Sequence, residues 1–243
     1  MNHVYLSFPS LTSTNDYLKD HYSSLDNGTV VSTKHQTRGK GRLGRTWVDE
    51  EGALLFSFLL KGDEYESFLS FLPLLAGAAM EEALLDEGVE TEIKWPNDII
   101  LNDKKCCGIL LEAISDSKLQ ALVVGIGLNL NNESFPRELG SATSLYLETG
   151  KHYDKKSIMQ KFLGHFDELL AKQKQGDSAY FTILKEHDYL KGKELLLNYY
   201  GENKHVTSLG INEKGALKVK NESGKTITVT SGEATIVKDQ SLN

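Results

Sequence analysis

Four cations, Arg38, Lys40, Arg42 and Arg45, fall within eight residues and are interleaved with Gly39, Gly41 and Gly44. Glycine lets a backbone approach an anion closely, and guanidinium groups grip phosphate or carboxylate bidentately. The chemistry on offer is therefore anion binding, set against the plainer reading of a solvated basic loop. The run GKGRLG (39–44) also satisfies the dinucleotide pattern G-x-G-x-x-G. That pattern works only where its last glycine opens a helix whose N-terminus meets the pyrophosphate. Here RTWV leads through an acidic turn at 49–52 into the apolar run ALLFSFLLK (53–61). The layout is strand–loop–strand, which excludes nicotinamide binding. No Walker loop G-x-x-x-x-G-K-[ST] occurs. Further along, KWPNDIILNDKK (94–105) sets Lys94, Asp98 and Lys105 around a strand–turn–strand unit, and CGILLE (107–112) follows. VVGIGLNLN (123–131) places two glycines in a strand that ends on asparagines, a sign of close backbone approach to a ligand.

The elements that must position these residues are mixed. HVYLSF (3–8) alternates as a strand, and Ser13 or Thr14 can cap a helix carrying Tyr17, Leu18 and Leu25. GTVVSTKHQ (28–36) reads as a strand, and 53–61 as a buried one. Residues 67–87 have helical apolar spacing, with Pro73 in the first turn or at a break. IKWPNDIILND gives two strands about a Pro-Asn turn, and CCGILLEAIS and LQALVVGIGLNLN give two more. Ile158, Phe162, Phe166, Leu169 and Leu170 mark an amphipathic helix over 154–175, and a second helical stretch covers 178–190. From Gly192 to Val237 only short β-like pieces remain, KELLLNYY, HVTSLGI, GALKVKN, KTITVTS and EATIV, whose even spacing predicts a small barrel. Two domains are expected, 1–190 and 191–243, with no disordered tail beyond the last few residues.

The chain of 243 residues is 40% hydrophobic and 25% charged, the profile of an ordinary globular protein. No apolar run reaches a membrane span and the N-terminus lacks a signal-peptide pattern, so a cytoplasmic protein without membrane partners is expected. Cys106 and Cys107 are adjacent and form no disulfide framework; small packing residues in a reducing compartment is the reading they support. A net charge of −7 argues against nucleic acid as a partner and makes the basic cluster at 38–45 a local feature.

Taken in order, STN (13–15), QTRGKGRLGRTW (36–47), KWPND (94–98), KK-x-x-GILLE (104–112), GIGLNLN (125–131) and the SGE turn (231–233) resemble the biotin protein ligase family over essentially the whole chain. The resemblance implies an α+β fold: a class II synthetase-like catalytic domain with a mixed sheet and flanking helices, plus a C-terminal SH3-like β-barrel. It implies ATP-dependent activation of biotin to biotinyl-5′-AMP and transfer to a lysine of a biotin carboxyl carrier protein. STN begins at residue 13, where repressor members first carry a winged-helix domain, so the monofunctional type without DNA binding is expected. Lipoate or octanoate ligases and transferases of the same fold lack the arginine-rich glycine loop in this form. A non-catalytic sensor need not keep Lys105, Arg42 and Asp98.

The family match also implies roles. Arg42 and Arg45 hold carboxylate and phosphate with Lys40 assisting, and Lys105 sits at the carboxylate–phosphate junction, or else is a surface lysine beside Lys104. Asp98 helps place the metal or ATP, or orders the Pro-Asn turn; Lys94 buttresses it. Ser13, Thr14, Asn15 and Gln36 bind the biotin head, although Ser13 and Thr14 could cap the helix instead. Gly41, Leu43 and Gly108 join Arg42 and Lys105 along the biotin. Trp47 stacks on adenine or belongs to the core, and Gly127 lets the backbone reach the adenylate. Asn129 touches the adenine edge or makes strand-end turn bonds. No fixed metal site is expected, Mg²⁺ arriving with ATP near Asp98. Family members can pair through the central sheet, which leaves a homodimer open. Lys40 stands where the family usually has arginine, keeping the charge but losing bidentate geometry. Nothing in the sequence explains Arg38.

Overall fold

The computed structural model describes residues 1–199 and 201–237. Its strands are β1 (Val4–Phe8), β2 (Thr29–Thr33), β3 (Leu54–Lys61), β4 (Glu92–Lys94), β5 (Asp98–Leu101), β6 (Lys104–Ser115), β7 (Leu119–Leu128), β8 (Glu194–Tyr199), β9 (Glu202–Ile211), β10 (Leu217–Asn221), β11 (Thr226–Val229) and β12 (Glu233–Ile236). The helices are α1 (Thr14–His21), α2 (Leu72–Leu85), α3 (Leu145–Thr149), α4 (Lys155–Lys174) and α5 (Ala179–Glu186). β1 to β7 form a mixed seven-stranded sheet in the order β1-β2-β3-β7-β6-β5-β4. Only β1 and β2 run parallel; the other ladders are antiparallel.

Strand alternation splits this sheet into two faces. Phe56, Phe58, Leu122, Val124, Ile126, Cys107 and Ile109 point to the large core beneath α2, α4 and α5. Leu59, Ala121 and Val123 point the other way and pack with Leu18 of α1. That second face also carries Ser57 of β3, Gly125 and Gly127 of β7, and Gly108 and Glu112 of β6. The glycines cut a depression into it, and the functional residues collect there.

The carboxy-terminal strands form a five-stranded antiparallel sheet, β11-β10-β9-β8-β12, where the small barrel is expected. Its apolar face, including Leu195, Leu197, Val206 and Leu217, is continuous with the large core. Hydrogen bonds fasten the junction: Trp95 Nε1 donates to Gly215 O at 3.0 Å, and Tyr180 Oη to Glu213 O at 2.8 Å.

Several boundaries differ from the sequence expectation. α1 stops at His21, so Leu25 lies beyond it and still packs with the Leu18 cluster. α2 starts at Leu72 with Pro73 in its first turn, where no amide hydrogen is needed; residues 63–68 form a separate 3₁₀ turn. α5 is shorter than 178–190. Tyr200 and residues 238–243, which include the last few residues at the expected tail, lie outside the described residues. Among the described residues no helix is long and apolar enough to cross a membrane.

Candidate functional site

The basic glycine run is folded into a small β-hairpin. Trp47 N donates to Gly39 O (3.0 Å), Lys40 pairs with Thr46, Gly41 N donates to Arg45 O (2.8 Å) and Arg45 N to Arg42 O (3.1 Å). The tip is Leu43 at φ 55° and Gly44 at φ 74°, the positive pair that a tight hairpin turn requires. Leucine is a strained choice for that backbone, and its side chain is 74% exposed. At the hairpin's base, Asp49 accepts from Gln36 N at 2.6 Å and meets His35 Nδ1 at 2.6 Å. The cations reach in three directions. Lys40 Nζ bonds Asp16 Oδ1 of α1 (2.5 Å). Arg42 donates to Asn97 Oδ1 (3.0 Å) and Gly232 O (3.4 Å), while Arg45 pairs with Glu233 of β12. Burial lowers the Arg42 pKa, with nearby Asp98 pulling it back up and Arg45 adding to the depression.

Trp47, at the end of the hairpin, lies flat on a glycine floor. Gly108 and Gly127 face each other across the β6–β7 ladder. A methyl group built on Gly127 would come within 2.6 Å of the Trp47 ring, and one on Gly108 within 2.8 Å. The close approach signalled by the two glycines of VVGIGLNLN is thus made by the protein's own side chains, Trp47 at Gly127 and Asn15 at Gly125.

Lys105 owes its place to a β-bulge. Ile99 pairs with Cys107 but Ile100 with Lys105, so one residue of β6 is extra. Simple alternation from Gly108 would turn Lys105 towards the core. The bulge instead buries both cysteines and returns Lys105 to the cleft. Its Nζ stands 2.7 Å from Asp98 Oδ1 and 5.6 Å from the centre of the Trp47 ring. The segment 141–143 clamps its backbone, since Lys105 N donates to Ser141 O (2.8 Å) and Thr143 N to Lys105 O (3.0 Å). Burial lowers the Lys94 pKa against the pull of Asp98, with Lys105 and Arg45 adding to the depression. Both cysteine thiols are buried and their pKa values are pushed up, that of Cys106 to about 12, as fits packing residues.

One cleft gathers the expected Ser13, Thr14, Asn15 and Gln36 at one end, and Lys40, Arg42 and Arg45 along the hairpin. Trp47, Gly108 and Gly127 form its floor, with Gly41, Asp98, Lys105 and Lys94 beside them. Two expected residues are not brought in. Leu43 sits at the exposed tip of the hairpin, outside this cleft. Asn129 is buried behind Lys105, its amide donating to Thr143 O (3.0 Å) and its backbone N to Cys106 O (2.8 Å). Ser13 does cap α1, accepting from Asp16 N at 3.4 Å, while lining the cleft.

Other residues join the site without having been singled out. Thr14 N donates to Gln36 Oε1 (2.8 Å), Thr14 Oγ1 meets Ser57 Oγ (2.6 Å), and Ser57 donates to Asn15 Oδ1 (2.5 Å). Asn15 Nδ2 donates to Glu112 Oε2 (2.8 Å), and Glu112 Oε1 pairs with Lys19 (2.6 Å). Ser57 leaves a trace in the sequence as a polar residue in the middle of an apolar strand. Among the described residues, no three His, Cys, Asp or Glu side chains are grouped to hold a metal ion. The site offers a neutral, directional hydrogen-bonding end and a cationic end, joined by a flat floor under an aromatic ring.

The model of the biotin/lipoate A/B protein ligase family matches residues 7–129. The bifunctional ligase/repressor BirA of Bacillus subtilis is 32% identical over 209 residues, covering 81% of this chain and 63% of BirA. The chain thus spans less than two thirds of that relative's length. The biotin–[acetyl-CoA-carboxylase] ligase of Paracoccus denitrificans is 29% identical over 216 residues, covering 84% of this chain and 88% of that one. A solved structure, the biotin protein ligase of Aquifex aeolicus in complex with biotin and ATP, superposes with a TM-score of 0.85 at 35% identity, over 98% of this chain and 99% of the other. The family model covers half of the chain and the solved relative matches nearly all of it, so the chain belongs to the biotin/lipoate A/B protein ligase family.

Proposed function

We propose that the chain is an ATP-dependent biotin–protein ligase. It joins biotin to ATP as biotinyl-5′-AMP, releasing pyrophosphate, and passes the biotinyl group to a lysine of a biotin carboxyl carrier protein, releasing AMP. The observation that carries this reading is the single cleft in which Thr14, Asn15 and Gln36 face Arg42 and Lys105 across the Trp47 floor. A neutral cyclic urea needs fixed donors and acceptors. Its carboxylate and the α-phosphate, two anions, need cations to bring them together.

In this reaction the biotin carboxylate attacks the α-phosphorus, and Lys105 and Arg42 offset the charge that gathers there. Asp98 holds Lys105 ready through the 2.7 Å ion pair. Trp47 is the surface on which adenine stacks, and Arg45 and Lys40 extend the phosphate-binding edge of the hairpin. Asn129 acts through the 141–143 segment that clamps Lys105. Mg²⁺ brought in with ATP would offset phosphate charge, and Asp98 would be the carboxylate to help hold it. The amine of the carrier lysine then attacks the carbonyl of the mixed anhydride, forming the amide and expelling AMP. The carboxy-terminal sheet acts as the SH3-like unit that, packed on the shared core, closes the hairpin side through Gly232 and Glu233. The runner-up is a lipoate or octanoate ligase of the same fold; the polar head end of the cleft speaks for biotin, since an alkyl chain leaves those groups unpaired. Exchange of labelled pyrophosphate into ATP, with biotin or octanoate as the acid, tests the choice.

A further inference from the structure

The polar end of the cleft is wired to a charge outside it. Glu112 on β6 does not line the cleft wall where Thr14 and Gln36 stand. One of its carboxylate oxygens pairs with Lys19 Nζ at 2.6 Å, and the other accepts Asn15 Nδ2 at 2.8 Å. A carboxylate in an ion pair can only accept. Asn15 must therefore present its NH₂ to Glu112 and its Oδ1 to Ser57. Ser57 is 0% exposed, and its hydroxyl meets both Asn15 Oδ1 (2.5 Å) and Thr14 Oγ1 (2.6 Å). Its one hydrogen is taken by Asn15 Oδ1, so Thr14 donates to Ser57 at 2.6 Å in preference to Gln36 Oε1, which its hydroxyl also reaches at 3.2 Å. Thr14 is left with lone pairs towards the cleft. Gln36 Oε1 is taken by Thr14 N at 2.8 Å, so Gln36 offers its NH₂. An acceptor and a donor stand side by side, the complement of the N–H beside C=O in a cyclic urea.

We propose that Glu112 is a positioning residue that sets the direction of every hydrogen bond in this relay, Glu112–Asn15–Ser57–Thr14, and thereby the selectivity of the head pocket for a urea. This rests on the biotin ligase reading and deepens it. The charge of Glu112 is held in turn by Lys19, which also stands 3.5 Å from Asp16, the carboxylate that bonds Lys40 of the hairpin. With a neutral amide in place of the Glu112 carboxylate the relay can run backwards. The amide NH₂ introduced by E112Q would donate to a flipped Asn15, Asn15 to Ser57, and Ser57 to Thr14, which occupies a Thr14 lone pair and frees its hydrogen for Gln36 Oε1, 3.2 Å away, or for the cleft.

Titration calorimetry on the full chain tests this with E112Q, S57A and the double variant. Biotin is measured alone, and ATP at saturating biotin with Mg²⁺, using a non-hydrolysable analogue. Each single change should weaken biotin roughly tenfold, as expected for one misdirected buried hydrogen bond, and leave the nucleotide affinity unchanged. Because both act through one relay, the double variant should also lose roughly tenfold rather than a hundredfold. Additive losses, an unchanged biotin affinity in E112Q, or an equal loss for the nucleotide would overturn the relay. If the unaltered protein binds biotin and the variants add, only the relay fails. If the unaltered protein binds no biotin, the ligase reading fails and takes the relay with it.

Discussion

Lys105 is the residue on which the proposed chemistry turns, and its position depends on one extra residue in β6. The bulge that buries Cys106 and Cys107 side by side brings the Lys105 ammonium to Asp98 and to the face of Trp47. Removing it takes a cation from where negative charge develops. Lys105→Ala should slow pyrophosphate exchange on the order of 10²–10³-fold, while biotin affinity changes by only a few-fold. Equal losses in both would make Lys105 a binding group and not a catalytic one. Lys105 and Arg42 were legible in the sequence because their types and neighbours announce anion chemistry. Glu112 and Ser57 were not, because their meaning lies in partners far along the chain: Asn15 is 97 residues from Glu112 and 42 from Ser57. Asn129 was legible as a residue but not in its contacts, which depend on the 141–143 segment folding back beside β6.

Among the elements, the hairpin at 39–47 and the β6–β7 floor work as one unit. The Trp47 ring lies where any side chain on Gly108 or Gly127 would be. Gly127→Ala should push the ring off the floor and raise the KM for ATP on the order of tenfold, from overpacking of about 1–3 kcal/mol. Biotin affinity should hold, since the polar end of the cleft is untouched. Steady-state exchange kinetics at varied ATP and biotin separate the two. The strands of both sheets could be read from alternation and turn residues, because those signals are local. The hairpin could not. Its turn places Leu43 at φ 55°, against that residue's preference, so only cross-strand pairing reveals it. Nor is α3 legible in the sequence: five residues capped by Ser144 are too few to show a helical repeat.

Across the whole molecule, the two sheets share one apolar core, and a buried charge lies close to their junction. Glu81 of α2 is 0% exposed, with His187 Nδ1 3.3 Å away on the strand-linking segment after α5. Burial pushes the Glu81 pKa up to about 7, with His187 working against the shift and Glu82, Glu186 and Glu90 adding to it. A pKa raised on folding means the native state binds the proton more tightly. The stability this contributes is full below the ordinary carboxylate pKa and is lost as pH rises through about 7. Glu81→Gln should therefore stabilise the protein increasingly from pH 5 to pH 8, on the order of 1–3 kcal/mol at the upper end. Urea unfolding at several pH values measures this, and a gap that does not widen with pH would count against it. At the same scale, the hairpin is held between α1 through Lys40 and β12 through Arg45, so the cleft needs both sheets to be complete. The acid that this cleft activates defines the enzyme. With ATP and Mg²⁺, biotin should drive exchange of labelled pyrophosphate into ATP and octanoate should leave it at background. Exchange driven by octanoate and not by biotin would contradict the biotin ligase reading.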